Sequence, residues 1–434
     1  MYTTPIHQAA YPGIAPDKGQ HHALQQEIVQ LADGVWAFIG YGTSVFGVIV
    51  SDHGYVMVDT GDHPGRAAQA LEYIHERVQG TLQGIVLTHS HPDHRLSGSV
   101  FTSDAEGKVP VWGHCNFGSE QMAGAGLEPV LQKRTAMQFG MRIPDDAYVP
   151  NAMVPRFEPS EAGQPLMPTE HVPEGGMELE VDGTRMKLLT LPTETSDHVQ
   201  VWLPDRKVLF CGDSAYGSFP NLYPLRGGPY RDVELWGKNV RALSELQPEA
   251  LMCGHNLALR GAAEIQDFLL SYADALDYVY NATIEGMNNG KTADELAAEI
   301  QLPTHLREKP FLAELYGSVG WSVRAIFAHK VGWFDGNPTN IAPLSPLEEA
   351  QRMATLAGSA QSLLARAQEA LTLGDERWAA RLAQTVLQLE GAEDAIYDEA
   401  RSVLADAYEQ IAAQVLPITA KNYLQTAARD LRAQ

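Results

Sequence analysis

Six residues constrain this chain more than any other stretch: His89-Ser90-His91-Pro92-Asp93-His94, directly after the apolar run Gly84-Ile85-Val86-Leu87. A short apolar run bounded by polar residues reads as a buried strand, so the cluster lies in a loop at a strand end. A surface loop can also be polar, but four ligand side chains in six residues need a stronger reason. Zinc takes neutral imidazoles and carboxylates, and catalytic zinc sites keep a position open for water. Residues i and i+2 can share a face, so His89 and His91 can hold one metal. Asp93 and His94 can then turn towards a second metal nearby.

One cluster cannot close two sites, so the chain must supply ligands from elsewhere. Three polar residues share the same context. Asp59 follows Tyr55-Val56-Met57-Val58, Asp213 follows Val208-Leu209-Phe210-Cys211-Gly212, and His255 follows Ala250-Leu251-Met252-Cys253-Gly254. Each alone is more often a turn residue or a satisfied core group. Together they point to one place, because strand-end loops on one sheet edge converge.

The rest of the chain divides by pattern. Residues 1–34 are polar and punctuated by Pro and Gly, and read as an arm lying over the body. From Val35 a hairpin pattern begins, with strands at Val35 to Ile39, Val45 to Ser51 and Tyr55 to Asp59. Pro64 opens a helix to about Gln79. A second hairpin spans Met186 to Cys211, and a helix from Val233 to Leu246 leads into the strand at Ala250. Mixed hairpins and helix-strand alternation predict an α/β domain over 35–260, with sheets covered by helices. Residues 261–434 read as helical. They include a capping-box start at Thr292-Ala293-Asp294-Glu295 and two imperfect helix pairs of the tetratricopeptide kind near Ala365 to Leu389.

Charge and cysteines bound the surroundings. With 31 Lys and Arg against 54 Asp and Glu, the formal charge is −23. That surface repels phosphate backbones and anionic head groups, so neither nucleic acid nor membrane is an expected partner. An anionic substrate must be attracted locally, by metals or an arginine. Three cysteines without a CxxC pair fit a reducing compartment. With no signal-peptide pattern and no run approaching ~18 apolar residues, the expectation is a soluble, cytoplasmic protein.

The pattern His-x-His-x-Asp-His after a strand, preceded by Val58-Asp59-Thr60-Gly61, resembles the metallo-β-lactamase superfamily. The resemblance implies an αββα sandwich with a mono- or dinuclear metal site at one edge of its sheets. Leu191-Pro192-Thr193-Glu194-Thr195-Ser196-Asp197-His198 lies where that superfamily has a Pro-Gly-His-Thr motif, with Glu194 in place of the usual histidine. Glutamate there resembles the alkylsulfatase branch. Asn221-Leu222-Tyr223-Pro224-Leu225-Arg226-Gly227, followed by Arg231-Asp232, is similar to that branch's Asn-Leu-Tyr-Thr-Leu-Arg-Gly stretch. The helical half resembles the branch's dimerisation domain, at Tyr316-Gly317-Ser318-Val319, Gly332 to Pro338 and Gly374 to Trp378. Family members carry a further sterol-carrier-like domain after it. The sequence stops at Gln434, where that domain would begin, so a chain lacking it is expected.

Carried over by position, the resemblance implies two Zn2+ ions. His89, His91 and Glu194 would hold one, Asp93, His94 and His255 the other, and Asp213 would bridge, where the branch usually has glutamate. Asn221 and Arg226 match its sulfate-binding positions; Arg226 suits a tetrahedral oxyanion because its planar fork donates parallel hydrogen bonds. The implied activity is hydrolysis of alkyl sulfate monoesters by a metal-bound hydroxide, with the zinc-bound water oriented by Asp93 and Asp213, in a homodimer. The alternative is another hydrolase of this fold acting on a lactone, thioester or β-lactam. A redox di-iron protein is disfavoured by Ser90, a nuclease by the −23 charge, and a scaffold with a vestigial site by the full ligand set. His198 has no family counterpart and reads as a supporting residue.

Overall fold

A computed structural model describes residues 24–119, 124–151, 153, 155, 156 and 164–434. Most of the expected arm, residues 1–23, lies outside that range. Its remainder is no arm. Glu27–Ala32 forms strand β1, paired antiparallel with β2 (Val35–Ile39). Val29 and Leu31 alternate into the core, and the Asp33-Gly34 turn places Gly34 at φ +63°, a conformation open to glycine. An Asp-Gly turn between alternating apolar residues is a hairpin signal, and it outweighs the polar composition around it.

The chain continues through β3 (Phe46–Val50), β4 (Gly54–Val58), helix α1 (Pro64–His75), β5 (Thr81–Val86), α2 (Gly98–Thr102), β6 (Val111–His114), α3 (Glu128–Gln138) and β7 (Glu170–Val172). Strands β1 to β7 form one sheet in sequence order. The second sheet contains β8 (Met177–Val181), β9 (Thr184–Leu189), β10 (Gln200–Leu203), β11 (Val208–Gly212), β12 (Ala250–Cys253) and β13 (Ala258–Arg260). Helix α1 stops short of Gln79 because the Arg77 and Val78 N–H groups both turn back to the Ile74 carbonyl.

Val35, Ala37, Ile49, Val56 and Val58 from the first sheet pack with Met186, Val201, Val208, Phe210 and Met252 from the second. A separate layer under α1 and α2 covers the outer face of the first sheet. Helices α4 (Val233–Ser244) and α5 (Ala262–Asn288) cover the second, burying Trp236, Phe268 and Tyr272. This is the expected αββα sandwich. The sheets approach closely at Gly47, where an added Cβ would lie 2.4 Å from the Phe210 ring.

Strand direction decides where loops meet. β4 and β5 run parallel, as do β11 and β12. β9 and β11 both run antiparallel to β10, so their C-terminal ends share an edge. At that edge the Val45 N–H donates to the Gly254 carbonyl at 2.7 Å, and the Val199 N–H donates to the Thr88 carbonyl at 2.6 Å. These bonds stitch the two sheets together around the loops that carry the candidate ligands.

The helical part follows as α6 (Ala293–Glu299), α7 (Thr304–Arg307), α8 (Val319–Val331), α9 (Pro346–Ala357), α10 (Ala360–Thr372), α11 (Glu376–Leu387), α12 (Asp394–Gln414) and α13 (Ile418–Arg432). The capping box read at Thr292 is formed, with Glu295 reciprocating. By compactness the chain makes two units: residues 1–128 with 149–330, and residues 129–148 with 331–434. The change from sheet to helix near Gly261 is therefore not where the units divide. Leu269, Leu276, Leu296, Phe311 and Val323 share one core with the second sheet, which draws α5 to α7 and most of α8 into the first unit. In the second unit, Leu364, Ala383, Val386 and Leu404 form the centre of α10 to α12. Residues 129–148 join it: Arg142 donates twice to Asp430, at 2.9 and 2.8 Å, and Asn422 Nδ2 donates to the Gln138 carbonyl at 3.1 Å. No helix among the described residues is long and apolar enough to cross a membrane.

Gly47→Val tests the sheet contact. Valine is the better strand former, yet overpacking against Phe210 is expected to lower the unfolding free energy by about 1–3 kcal/mol, read by urea denaturation.

Candidate metal centre

Among the described residues, metal-ligating side chains gather in two groups, His89, His91, Glu194 and Asp213, and Asp93, His94 and His255. Each ligand-sized set comes from loops at the shared sheet edge. His89, His91, Asp93 and His94 follow β5, Glu194 lies between β9 and β10, Asp213 follows β11 and His255 follows β12. His89 Nε2 is 2.9 Å from His91 Nδ1, and His91 Nδ1 is 3.3 Å from Glu194 Oε2. In the second group, Asp93 Oδ2 is 3.5 Å from both His94 Nε2 and His255 Nε2. Asp213 lies between the two. Its Oδ2 is 3.1 Å from His255 Nε2 and 3.7 Å from His89 Nε2, and its Oδ1 is 3.4 Å from His94 Nε2.

The imidazoles are aimed by what their other nitrogens hold. His94 Nδ1 lies 2.8 Å from Asp59 Oδ2, and a carboxylate only accepts, so Nδ1 carries the proton and Nε2 faces the cluster. Asp59, at φ +60°, also accepts from the Thr88 N–H and hydroxyl, both at 2.8 Å. His255 Nδ1 donates to the Thr43 carbonyl at 2.9 Å, which turns its Nε2 to Asp213. His198 faces elsewhere: its Nε2 accepts the Asp213 backbone N–H at 3.0 Å, and its ring stacks on His89. It supports the site and is not aimed at a metal.

Burial and charge oppose one another here. Burial alone would lower His94 and His255, but neighbouring carboxylates, Asp213 foremost, raise His94 well above its ordinary value and His255 to about 9. Burial would raise Asp213, yet His255 and His94 hold it well below the carboxylate range. His89 has burial and the neighbouring imidazoles against it and falls well below the usual imidazole value, and burial brings His198 down to about 4.

The donor set fits metal ions. His94 Nε2 and Asp213 Oδ1 are buried and make no hydrogen bond, a costly state unless a cation satisfies both. The carboxylates of Asp59, Asp93, Glu194 and Asp213 also crowd one edge, and divalent ions would offset that charge without protons on His94 and His255.

Asn221 and Arg226 lie in the loop after β11. Asn221 is buried, its N–H donates to the Tyr216 hydroxyl at 2.7 Å, and its amide oxygen has no hydrogen-bond partner. Sequence reasoning missed Arg231, whose Nη1 donates to Glu194 Oε1 and, at 2.6 Å, to the Asn221 carbonyl. The Arg-Asp pair beside the Asn221 stretch was its only visible signal. Tyr316 was missed as a site residue too. Its segment lies against the loop because Gly317 leaves no room for a Cβ over Pro220 and Asn221. Burial raises the Tyr316 phenol, with Asp93 and Glu194 adding to the rise and Arg226 opposing it, so the phenol stays neutral.

Asp59→Ala strands the buried Thr88 N–H and His94 Nδ1. It is expected to lower stability by about 1–3 kcal/mol, measured by denaturant unfolding of metal-free protein.

Comparison with known proteins agrees with this fold. The profile described as "Metallo-beta-lactamase superfamily" matches residues 39–255, half of the chain, and "Alkyl sulfatase dimerisation" matches residues 292–434. A linear primary-alkylsulfatase of Pseudomonas sp. (strain ATCC 19151) is 28% identical, over 89% of this chain and 74% of its own. An (R)-specific secondary-alkylsulfatase of Pseudomonas sp. is 28% identical over 89% of this chain but only 59% of its own length. The solved structure of the stereoselective inverting sec-alkylsulfatase Pisa1 from Pseudomonas sp. superposes with a TM-score of 0.85 at 26% identity, over 94% of this chain and 66% of that one. With its sandwich, its clustered ligands and these matches, the chain belongs to the metallo-β-lactamase superfamily and carries the alkyl sulfatase dimerisation domain after it.

Proposed function

We propose that this chain hydrolyses alkyl sulfate monoesters, R–O–SO3⁻ and water giving ROH and HSO4⁻, at a dinuclear zinc centre. One observation carries the reading. Glu194, the ligand that departs from the superfamily's usual histidine, is tied through Arg231 to Asn221 in the loop that also holds Arg226. The metal cluster and the oxyanion-reading loop are thus one assembly. The alkylsulfatase relatives support the same chemistry.

His89, His91 and Glu194 would hold one zinc and Asp93, His94 and His255 the other, with the Asp213 carboxylate reaching both. Imidazole and carboxylate donors without thiolate suit zinc in a hydrolytic site. Bound zinc supplies Lewis acidity, which makes water a nucleophile near neutral pH and draws charge from the sulfate oxygens. The protein's own groups do the rest. Asp93 and Asp213 orient the attacking water by accepting its hydrogens. Arg226 and the Asn221 amide bind the sulfate oxygens and offset charge that grows on them during the reaction. The dimerisation domain pairs two copies of the chain, and the substrate is a small sulfate ester with no nucleic acid or membrane involved.

A sulfate-release assay over primary and secondary alkyl sulfates tests the reading, beside a panel of lactones, thioesters and β-lactams. Chelator-treated protein is expected to release no sulfate, and zinc to restore release. Turnover that ignores chelation, or a preference for the panel esters, refutes it. Arg226→Ala is expected to lower kcat/KM for sulfate esters roughly 10²–10³-fold, with zinc content unchanged by elemental analysis.

A further inference from the structure

Glu194 and Arg231 are both almost wholly out of water, at 4% and 5% exposure. Arg231 approaches the metal cluster from behind. Its Nη1 bonds Glu194 Oε1 and the Asn221 carbonyl together, while Glu194 Oε2 lies 3.3 Å from His91 Nδ1, on the cluster side. The two carboxylate oxygens therefore have separate tasks. A guanidinium does not deprotonate in proteins, and a buried cation without a buried anion is strongly destabilising. Neutral imidazole at position 194 would leave Arg231 without that anion. It would also lack the second oxygen that keeps the ligand facing the cluster while its partner is held.

We propose that Arg231 is a positioning residue of the metal centre, acting on Glu194, and that it is the reason position 194 carries a carboxylate where the superfamily usually has histidine. Glu194 and Arg231 form one exchangeable unit. The pair replaces a neutral ligand by an anion whose charge is offset from behind, so the net charge presented to the metals is nearly kept. It also ties the ligand to the backbone of Asn221. A change at the metal site is thereby transmitted to the loop that reads the substrate oxyanion. This inference rests on the metal reading of the cluster.

A double-mutant cycle on the full chain separates the two ideas. Arg231→Met and Glu194→His are made singly and together. Zinc affinity is measured by competition with a chromophoric chelator, and thermal unfolding is followed on metal-free protein. Arg231→Met alone is expected to weaken one of the two zinc equivalents roughly 10–100-fold and to lower the metal-free Tm. Arg231→Lys keeps the cation without the planar fork and is expected to recover part of that affinity. In the Glu194→His background, Arg231→Met is expected to raise the metal-free Tm, because it removes an unpaired buried cation, and to leave zinc affinity unchanged.

Equal Tm losses in both backgrounds, with both zinc affinities intact, would make Arg231 an ordinary core support and overturn the proposal while the metal reading stands. Wild-type protein that binds no zinc overturns both. If Arg231→Met does not fold in either background, Arg231→Lys decides: unchanged affinity for both zinc equivalents overturns the proposal, and selective loss of one supports it.

Discussion

A carboxylate taken wholly out of water costs several kcal/mol unless opposite charge and hydrogen-bond donors replace the solvent, and Asp213 is placed so that both do. Its oxygens lie within reach of His94 on one side and His255 on the other, while its own N–H is held by His198. Each of these partners belongs to a different loop. Keeping Asp213 charged therefore fixes the ends of β5, β10, β11 and β12 relative to one another. The fold and the site share a single constraint: if the edge opened, the charge would be stranded. The Gly254-to-Val45 and Thr88-to-Val199 bonds hold that edge closed with backbone alone.

The pocket is also an electrostatic problem for its substrate. The surface charge of −23 repels anions, and the carboxylates of Asp93, Glu194 and Asp213 repeat that repulsion inside. Arg231 is committed to Glu194, while Asp213 inclines His94 and His255 to hold positive charge of their own. A metal taking those imidazole nitrogens would displace their protons and supply positive charge in their place. On the proposed reading, an anionic ester would be drawn in by that local charge, since the chain's net charge of −23 gives it no help.

Much of this was legible in the sequence, and what was not has a physical reason. The candidate ligands after β5, β11 and β12 could be read because they follow apolar strands, a pattern that survives without three-dimensional information, whereas Glu194 could be read only by resemblance. The Asn221 to Arg226 stretch could be read by its resemblance. What the supporting residues do could not be read. Asp59 was legible as a strand-end residue converging on the site, but not that it orients His94 and Thr88 across 35 and 29 residues of chain instead of joining a ligand group. The group that orients His255 is a main-chain carbonyl, that of Thr43, and no side-chain pattern announces it. His198 read correctly as a supporting residue, but its partner, the backbone N–H of Asp213, left no mark in the sequence. The edge strand β1 was hidden by polar neighbours although its turn was plain. The unit boundary was hidden for another reason: helices that share a core with a sheet look no different in sequence from helices that do not.

Residues 129–148 belong to the second unit although they emerge between two strands of the first. Arg142 and its partner Asp430 are 288 positions apart. During synthesis at ~5–20 residues per second, this segment waits some tens of seconds for the helix it packs on. Its apolar and hydrogen-bonding face is open throughout that interval. The sandwich can close around its own core early, whereas the helical unit is completed only when α13 leaves the ribosome. The packing thus implies an order of assembly in which this long-range closure comes after the sandwich.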